Sequence, residues 1–253
     1  MLQPSSASPC NASVPAHAPA HLMYSDLMPL YISLATGMVI HVGTNGESFR
    51  FGGSCAAYLK RNIILTAAHC LPDDNKAFVL LPGDKQLRSV IRAERHPTTD
   101  IAVLLVDAFE NDIPNQNFMG INSELSEGQD FLAFGYPDVA STTVLPPGRL
   151  FKGHFQRFFG YRSPSGHQYF AGEMNIPAPA GLSGGPTVHP LKPQLISGIV
   201  TTNVDSYIVI DHLEEVEQNG RTFRVESKRI VSYGIAAKPG GLDSWLQEII
   251  DTF

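Results

Sequence analysis

The sequence predicts an all-β protein closed by one C-terminal helix. Three observations carry this. Short apolar runs of strand length recur, each bounded by Gly, Pro, Asn or Asp. Strands alternating regularly with helices, the α/β signature, are absent. One segment, Gly241 to Asp251, spaces Leu242, Trp245, Leu246, Ile249 and Ile250 as one face of a helix.

The expected strands are Tyr31-Ile32-Ser33-Leu34, Met38 to Val42, Asn62 to Leu65, Ala77 to Leu81, Asp100 to Val106, Phe131 to Phe134, Gln194 to Val200 and Ile230 to Ala236. Many short strands with turn signals between them suit a sandwich or barrel. Residues 204–229 are polar, with Asn219-Gly220 at the centre. Asn-Gly between two strand-like runs predicts a hairpin. That hairpin either gates or recruits substrate beside a cleft, or is surface decoration.

Residues 1–28 are rich in Pro, Ser, Ala and His and read as a flexible arm. They lack the basic and apolar regions of a secretory signal. No run approaches the roughly 18 apolar residues that span a bilayer. A cytoplasmic protein with no membrane partner is expected. The net charge of -6 over 253 residues makes nucleic acid a poor partner. Three cysteines, Cys10, Cys55 and Cys70, make no even framework. No Cys-x-x-Cys or His-rich cluster accompanies them, so no metal and no cofactor are expected.

Three segments carry chemistry together. Ile63-Ile64-Leu65-Thr66-Ala67-Ala68-His69-Cys70 runs an apolar strand through small residues to a histidine. Asp100 opens the apolar run Ile101-Ala102-Val103-Leu104-Leu105. Ala180-Gly181-Leu182-Ser183-Gly184-Gly185-Pro186 sets a serine among glycines, where backbone N–H groups can converge. Singly, each has a structural reading: a core histidine, a turn aspartate, a Gly-rich turn. Together they supply a nucleophile, a base near neutral pKa and a carboxylate to orient it. The Gly181 and Ser183 amides are the candidate donors to a developing oxyanion.

These three segments resemble the signature segments of trypsin-fold serine proteases. Gly198-Ile199-Val200-Thr201-Thr202-Asn203 resembles the strand that lines the family's specificity pocket and pairs with substrate backbone. Tyr233-Gly234-Ile235-Ala236 before Trp245-Leu246 resembles the last strand and closing helix. The resemblance implies a chymotrypsin-like fold: two perpendicular six-stranded β-barrels with a C-terminal helix. It places the first barrel at 29–120 with His69 and Asp100; the polar, Pro-containing tract Asn111 to Gly128 is the candidate linker between the halves. The second barrel, with Ser183, spans 121–238, and the helix 239–253. It implies a serine endopeptidase acting on protein or peptide, with His69, Asp100 and Ser183 catalytic. Pro177, Ala178, Val200, Thr201, Thr202 and Asn203 are its implied substrate-binding residues. Leu182 stands where secreted digestive members carry Asp, so activation by a new N-terminus is not expected. In this the chain resembles the HtrA (Deg) branch, without a PDZ domain. Cys55 and Cys70 become a candidate disulfide, although Cys55 follows Gly52-Gly53-Ser54 rather than preceding it. Without an acidic residue at Pro177, the expected preference is a small or medium apolar residue before the cut.

Two rival readings stand beside this. Gly181-Leu182-Ser183-Gly184-Gly185 also matches the α/β-hydrolase elbow, but that motif needs a following helix, and Pro186-Thr187-Val188 starts one poorly. A catalytically silent protease fold serving as a binding or sensing module is the alternative of a different class. A regulatory partner protein is left open.

Overall fold

In the computed structural model the described residues are 30–252, apart from 44–48, 60–61, 75, 85, 110–112, 115, 119–124, 138–145, 217–221, 239 and 241. The expected arm at 1–28 and the Asn219-Gly220 turn lie outside them, as does much of the Asn111 to Gly128 tract.

Six strands close the first barrel in the order β1-β2-β3-β6-β5-β4. These are β1 (Thr36–Val42), β2 (Phe49–Ala57), β3 (Ile63–Thr66), β4 (Ala77–Leu80), β5 (Leu87–Arg95) and β6 (Ala102–Val106). Seven more form a second sheet: β7 (Asn117–Phe118), β8 (Asp130–Gly135), β9 (Arg149–Arg162), β10 (Gln168–Met174), β11 (Pro186–His189), β12 (Lys192–Val216) and β13 (Thr222–Ala237). Their order is β11-β8-β9-β10-β13-β12-β7, and a further β11–β12 pairing closes six of them into a ring. The C-terminal helix spans Asp243–Asp251. This is the chymotrypsin-like architecture expected from the sequence.

The apolar runs are continuous because the strands are buried on both faces. Val39, Ile64, Leu104 and Val106 pack in a core made only by the first barrel. Their neighbours Ile40, Ile63, Leu65 and Val103 face outward into a second core. There they meet Val188, Ile196 and Ile199 of the second sheet and Leu242, Leu246 and Ile250 from the C-terminal segment. A third core, with Phe131, Phe155, Met174 and Leu182, fills the second ring. Trp245 of the helix also meets His96 of the first half edge-on, ring centres 4.8 Å apart. The helix therefore ties the end of the chain back to the loop that precedes Asp100.

Residues 30–35 are helical, not the strand expected from Tyr31-Ile32-Ser33-Leu34. Ile32 and Ala35, three apart, are fully buried while Leu30 is exposed, which is helical periodicity. The Ser33 hydroxyl donates to the Leu30 carbonyl, a local bond that suits a helical turn.

The polar hairpin is present as a ribbon. β12 and β13 stay paired from Val204↔Tyr233 to Val216↔Thr222, well beyond the ring. The ribbon exposes Tyr207, Ile208, Val209, Ile210 and Ile230.

The Cys55–Cys70 disulfide is not formed: both are buried free thiols. Cys55 points into the first-barrel core. The Cys70 sulfur turns the other way and donates to the Ser183 carbonyl at 3.4 Å. Alkylation of the denatured, unreduced protein is expected to modify both thiols completely. A peptide linked through Cys55 and Cys70 in a non-reducing map would be the contrary result.

Candidate active site

The antiparallel register of β3 on β6 pairs Thr66 with Ala102. Two residues after Thr66 and two before Ala102, Ala68 therefore comes opposite Asp100, and its N–H donates to the Asp100 carbonyl at 3.2 Å. The small buried pair Ala67-Ala68 lets the chain turn at once into a single 3-10 turn, Ala68–Cys70. His69 sits at its centre. The Asp100 carboxylate then holds His69 twice. Oδ1 accepts its backbone N–H at 3.0 Å, and Oδ2 accepts the ring Nδ1–H at 2.6 Å. An ionised carboxylate only accepts, so Nδ1 carries a proton; in the neutral ring Nε2 then holds the lone pair, with the Cys70 sulfur 3.8 Å from it.

Asp100 is nearly buried, while the His69 ring is half exposed. Burial by itself would lower the histidine pKa. The hydrogen bond to Asp100 and the contact with the Cys70 sulfur outweigh it, and the pKa is raised.

Ser183 comes from the loop ahead of β11. Three amides of that loop are spent internally. Leu182 N–H donates to Pro179 O, Gly184 N–H to Val200 O, and Gly185 N–H to Leu182 O. Among the described residues, the Gly181 and Ser183 N–H groups donate to no acceptor. Gly181 and Gly184 have φ of +90° and +85°, which L side chains rarely adopt. A Cβ on Gly184 would also run into the Ser54 carbonyl and the Thr66 hydroxyl. The Ser183 hydroxyl donates to the Thr201 carbonyl at 3.0 Å. Among the described residues it makes no hydrogen bond to His69.

His69, Asp100 and Ser183 line one cleft of about 600 Å³ with Ala178, Thr201, Thr202 and Asn203. Two expected binding residues lie elsewhere. Val200 is fully buried in the third core, its backbone bonded on both sides to Gly184 and Gly185. Pro177 is exposed but outside the cleft wall, because the chain turns inward only at Ala178.

A family model described as the trypsin-like peptidase domain matches residues 53–196. The chain belongs to the trypsin-like peptidase family. As such the peptidase is a serine-type endopeptidase, a hydrolase with polypeptide substrates. No curated protein matches it. Solved structures share its fold. The Rv3671c protease from M. tuberculosis, active form, is similar at TM-score 0.61 and 14% identity, over 98% of this chain and 93% of that one. The HtrA-type protease AlgW with tripeptide gives 0.63 at 18% identity, over 90% of this chain and 64% of that one. The serine endoprotease from Yersinia pestis gives 0.58 at 17%, over 94% and 68%. No helix among the described residues is long and apolar enough to cross a membrane. Nor do they contain a group of three or more His, Cys, Asp or Glu able to hold a metal.

Several residues of the peptidase's site are not evident from its sequence. The tip of the β9–β10 hairpin, Ser163-Pro164-Ser165, forms a cleft wall. It is pinned beside Asp100 by the Gln168 N–H on the Thr98 carbonyl at 2.7 Å. Ser-Pro-Ser-Gly reads as a turn in sequence, but nothing there says which loop it meets. Ser54 is the other. Its hydroxyl donates to the Gly181 carbonyl at 2.7 Å and accepts the Tyr136 N–H at 2.9 Å. Its own N–H donates to the Ser183 carbonyl at 2.8 Å. Ser54→Ala leaves a buried donor and acceptor unmet. It is expected to lower stability by about 1–3 kcal/mol in urea unfolding and to reduce activity with it. Gly184→Ala, which meets main chain, is expected to cost about 3 kcal/mol or more by the same measurement.

Proposed function

We propose that the peptidase cleaves peptide bonds through an acyl-enzyme on Ser183, with His69 as general base and Asp100 orienting it. The observation that carries this is the double hold of Asp100 on His69 beside Ser183 in one cleft. It aims the Nδ1–H at the carboxylate, so that the neutral ring carries its lone pair on Nε2, the form a base requires.

A substrate strand laid along Thr201–Asn203 donates a backbone N–H to the Thr201 carbonyl. That acceptor is the one the Ser183 hydroxyl occupies at rest, so binding releases the hydroxyl toward Nε2. Catalytic hydrogen bonds are often long or unmade in the unliganded site and tighten with substrate. The Ser183 proton passes to His69 Nε2 as Oγ bonds to the scissile carbon. The resulting oxyanion is received by the unspent Gly181 and Ser183 N–H groups. His69 returns the proton to the leaving nitrogen as the C–N bond breaks. Water, deprotonated by the same nitrogen, then hydrolyses the ester and restores the serine.

The silent-module alternative has one observation in its favour, the Ser183 hydroxyl bonded to Thr201 rather than to His69. A fluorophosphonate probe separates the two. Labelling that is lost in Ser183→Ala supports the enzyme, and an unlabelled wild-type protein overturns it. His69→Ala is expected to cost about a thousandfold or more in kcat/KM. The pH profile gives a second check. Activity needs neutral His69, and the Asp100 bond raises its pKa. The ascending limb of kcat/KM is therefore expected above the ordinary histidine value of about 6.5. In Asp100→Asn that limb is expected to move to lower pH, while the plateau falls by roughly 10⁴.

A further inference from the structure

Asn203 and Ala178 face each other across the cleft and are joined twice. Asn203 Oδ1 accepts the Ala178 N–H, and Asn203 Nδ2 donates to the Ala178 carbonyl, each at 2.6 Å. The primary amide so completes a bridge of the kind two β-strands make. Its orientation is fixed by this pairing, since a flipped amide would set donor on donor and acceptor on acceptor.

The two residues belong to opposite walls. Ala178 leads into the Ser183 loop, and Asn203 follows Thr201 on β12. The space behind the bridge is filled. The Ala178 methyl packs in the third core with Met174 and Leu182. Asn203 pairs on its ladder with Gly234, where an added Cβ would strike the Met174 methyl and lie 3.0 Å from the Ile176 carbonyl.

The acyl residue of a bound substrate has its carbonyl carbon on Ser183 Oγ, its carbonyl oxygen toward the Gly181 and Ser183 amides, and its N–H on Thr201 O. Its side chain then enters the gap between the Ala178 and Asn203 walls, where the amide bridge stands. We propose that Asn203 is a specificity-determining residue. Its bridge to Ala178 closes that gap and restricts the residue before the scissile bond to Gly, Ala or Ser. This rests on Ser183 being the nucleophile, and it narrows the expectation of a small or medium apolar residue.

The test is a set of peptides identical except for Ala, Val, Leu, Phe or Lys before the cut, with active sites titrated by a fluorophosphonate. For the wild type, kcat/KM is expected to fall at least about a hundredfold from Ala to Phe. In Asn203→Gly the Phe-to-Ala ratio is expected to rise at least about tenfold. Asn203→Asp keeps the side-chain size but turns an acceptor onto the Ala178 carbonyl. It is expected to open the bridge and gain cleavage after Lys. A ratio within one protein is unaffected by a general loss of stability, so a purely structural role would not move it. Asn203→Asp serves if Asn203→Gly does not fold. A flat wild-type profile overturns the inference, as does a profile unchanged in the variants while Ser183 still titrates. Either leaves the proposed function standing. A wild-type enzyme that does not titrate removes both.

Discussion

The geometry of the cleft depends on how Ser54 holds the two halves of the molecule together. Ser54 lies on β2 of the first barrel and is fully buried. Its hydroxyl and backbone N–H reach the Gly181 and Ser183 carbonyls on either side of Leu182. The same hydroxyl takes the Tyr136 N–H at the end of β8, and its carbonyl takes the Thr66 hydroxyl at 2.7 Å. Each bond contributes only about 1 kcal/mol net. Their value lies in direction: they fix the serine loop relative to β3, the strand that leads into the turn of His69. Glycine is needed around this residue for the same reason. At Gly184 and Gly135 a side chain would occupy the space of Ser54 itself.

Each half brings what the other lacks. The first barrel brings a polarised pair, a nearly buried carboxylate and an imidazole whose proton location it dictates. The second brings the Ser183 hydroxyl on a loop whose Leu182, Gly184 and Gly185 amides are spent, while those of Gly181 and Ser183 donate to no acceptor among the described residues. Between them Thr201 is held firmly. Its hydroxyl meets the Tyr169 hydroxyl at 2.9 Å and the Ile235 carbonyl at 3.2 Å. Its main chain is thus a fixed rail, and its carbonyl accepts the Ser183 hydroxyl.

What the sequence reveals follows from what is buried. Strands apolar on both faces, such as β3 and β6, stand out as runs. β5, with Arg88, Arg92 and Arg95 among its apolar residues, does not, because its faces alternate. β2 hides behind Gly52-Gly53-Ser54, which reads as a turn and is a strand interior shaped to receive another loop. Residues 30–35 mislead because four residues are too few to separate periods of 2 and 3.6. His69, Asp100 and Ser183 are legible because each keeps its chemistry in a recognisable local run. Ser54 is not, since its role rests on a partner 127 residues away, and Asn203, though named as a binding residue, does not show in sequence its bond to Ala178, 25 residues before it. Val200 and Pro177, implied as binding residues by the resemblance alone, are not among the residues that line the cleft.

β12 is one unbroken strand of 25 residues, and its surroundings change completely along its length. Near Val200 it is flanked by β11 on one side and β13 on the other. Past Val204 only β13 pairs with it, and on both strands the residues at 205–210 and 225–230 are exposed. An isolated two-stranded ribbon is marginal in water. Its order is borrowed from the ring at its base. Amide exchange along this single strand should therefore run from the slowest in the protein, where opening means unfolding a barrel, to fast, where a few ladder bonds suffice. The cleft-lining residues Thr201 to Asn203 sit where that gradient begins.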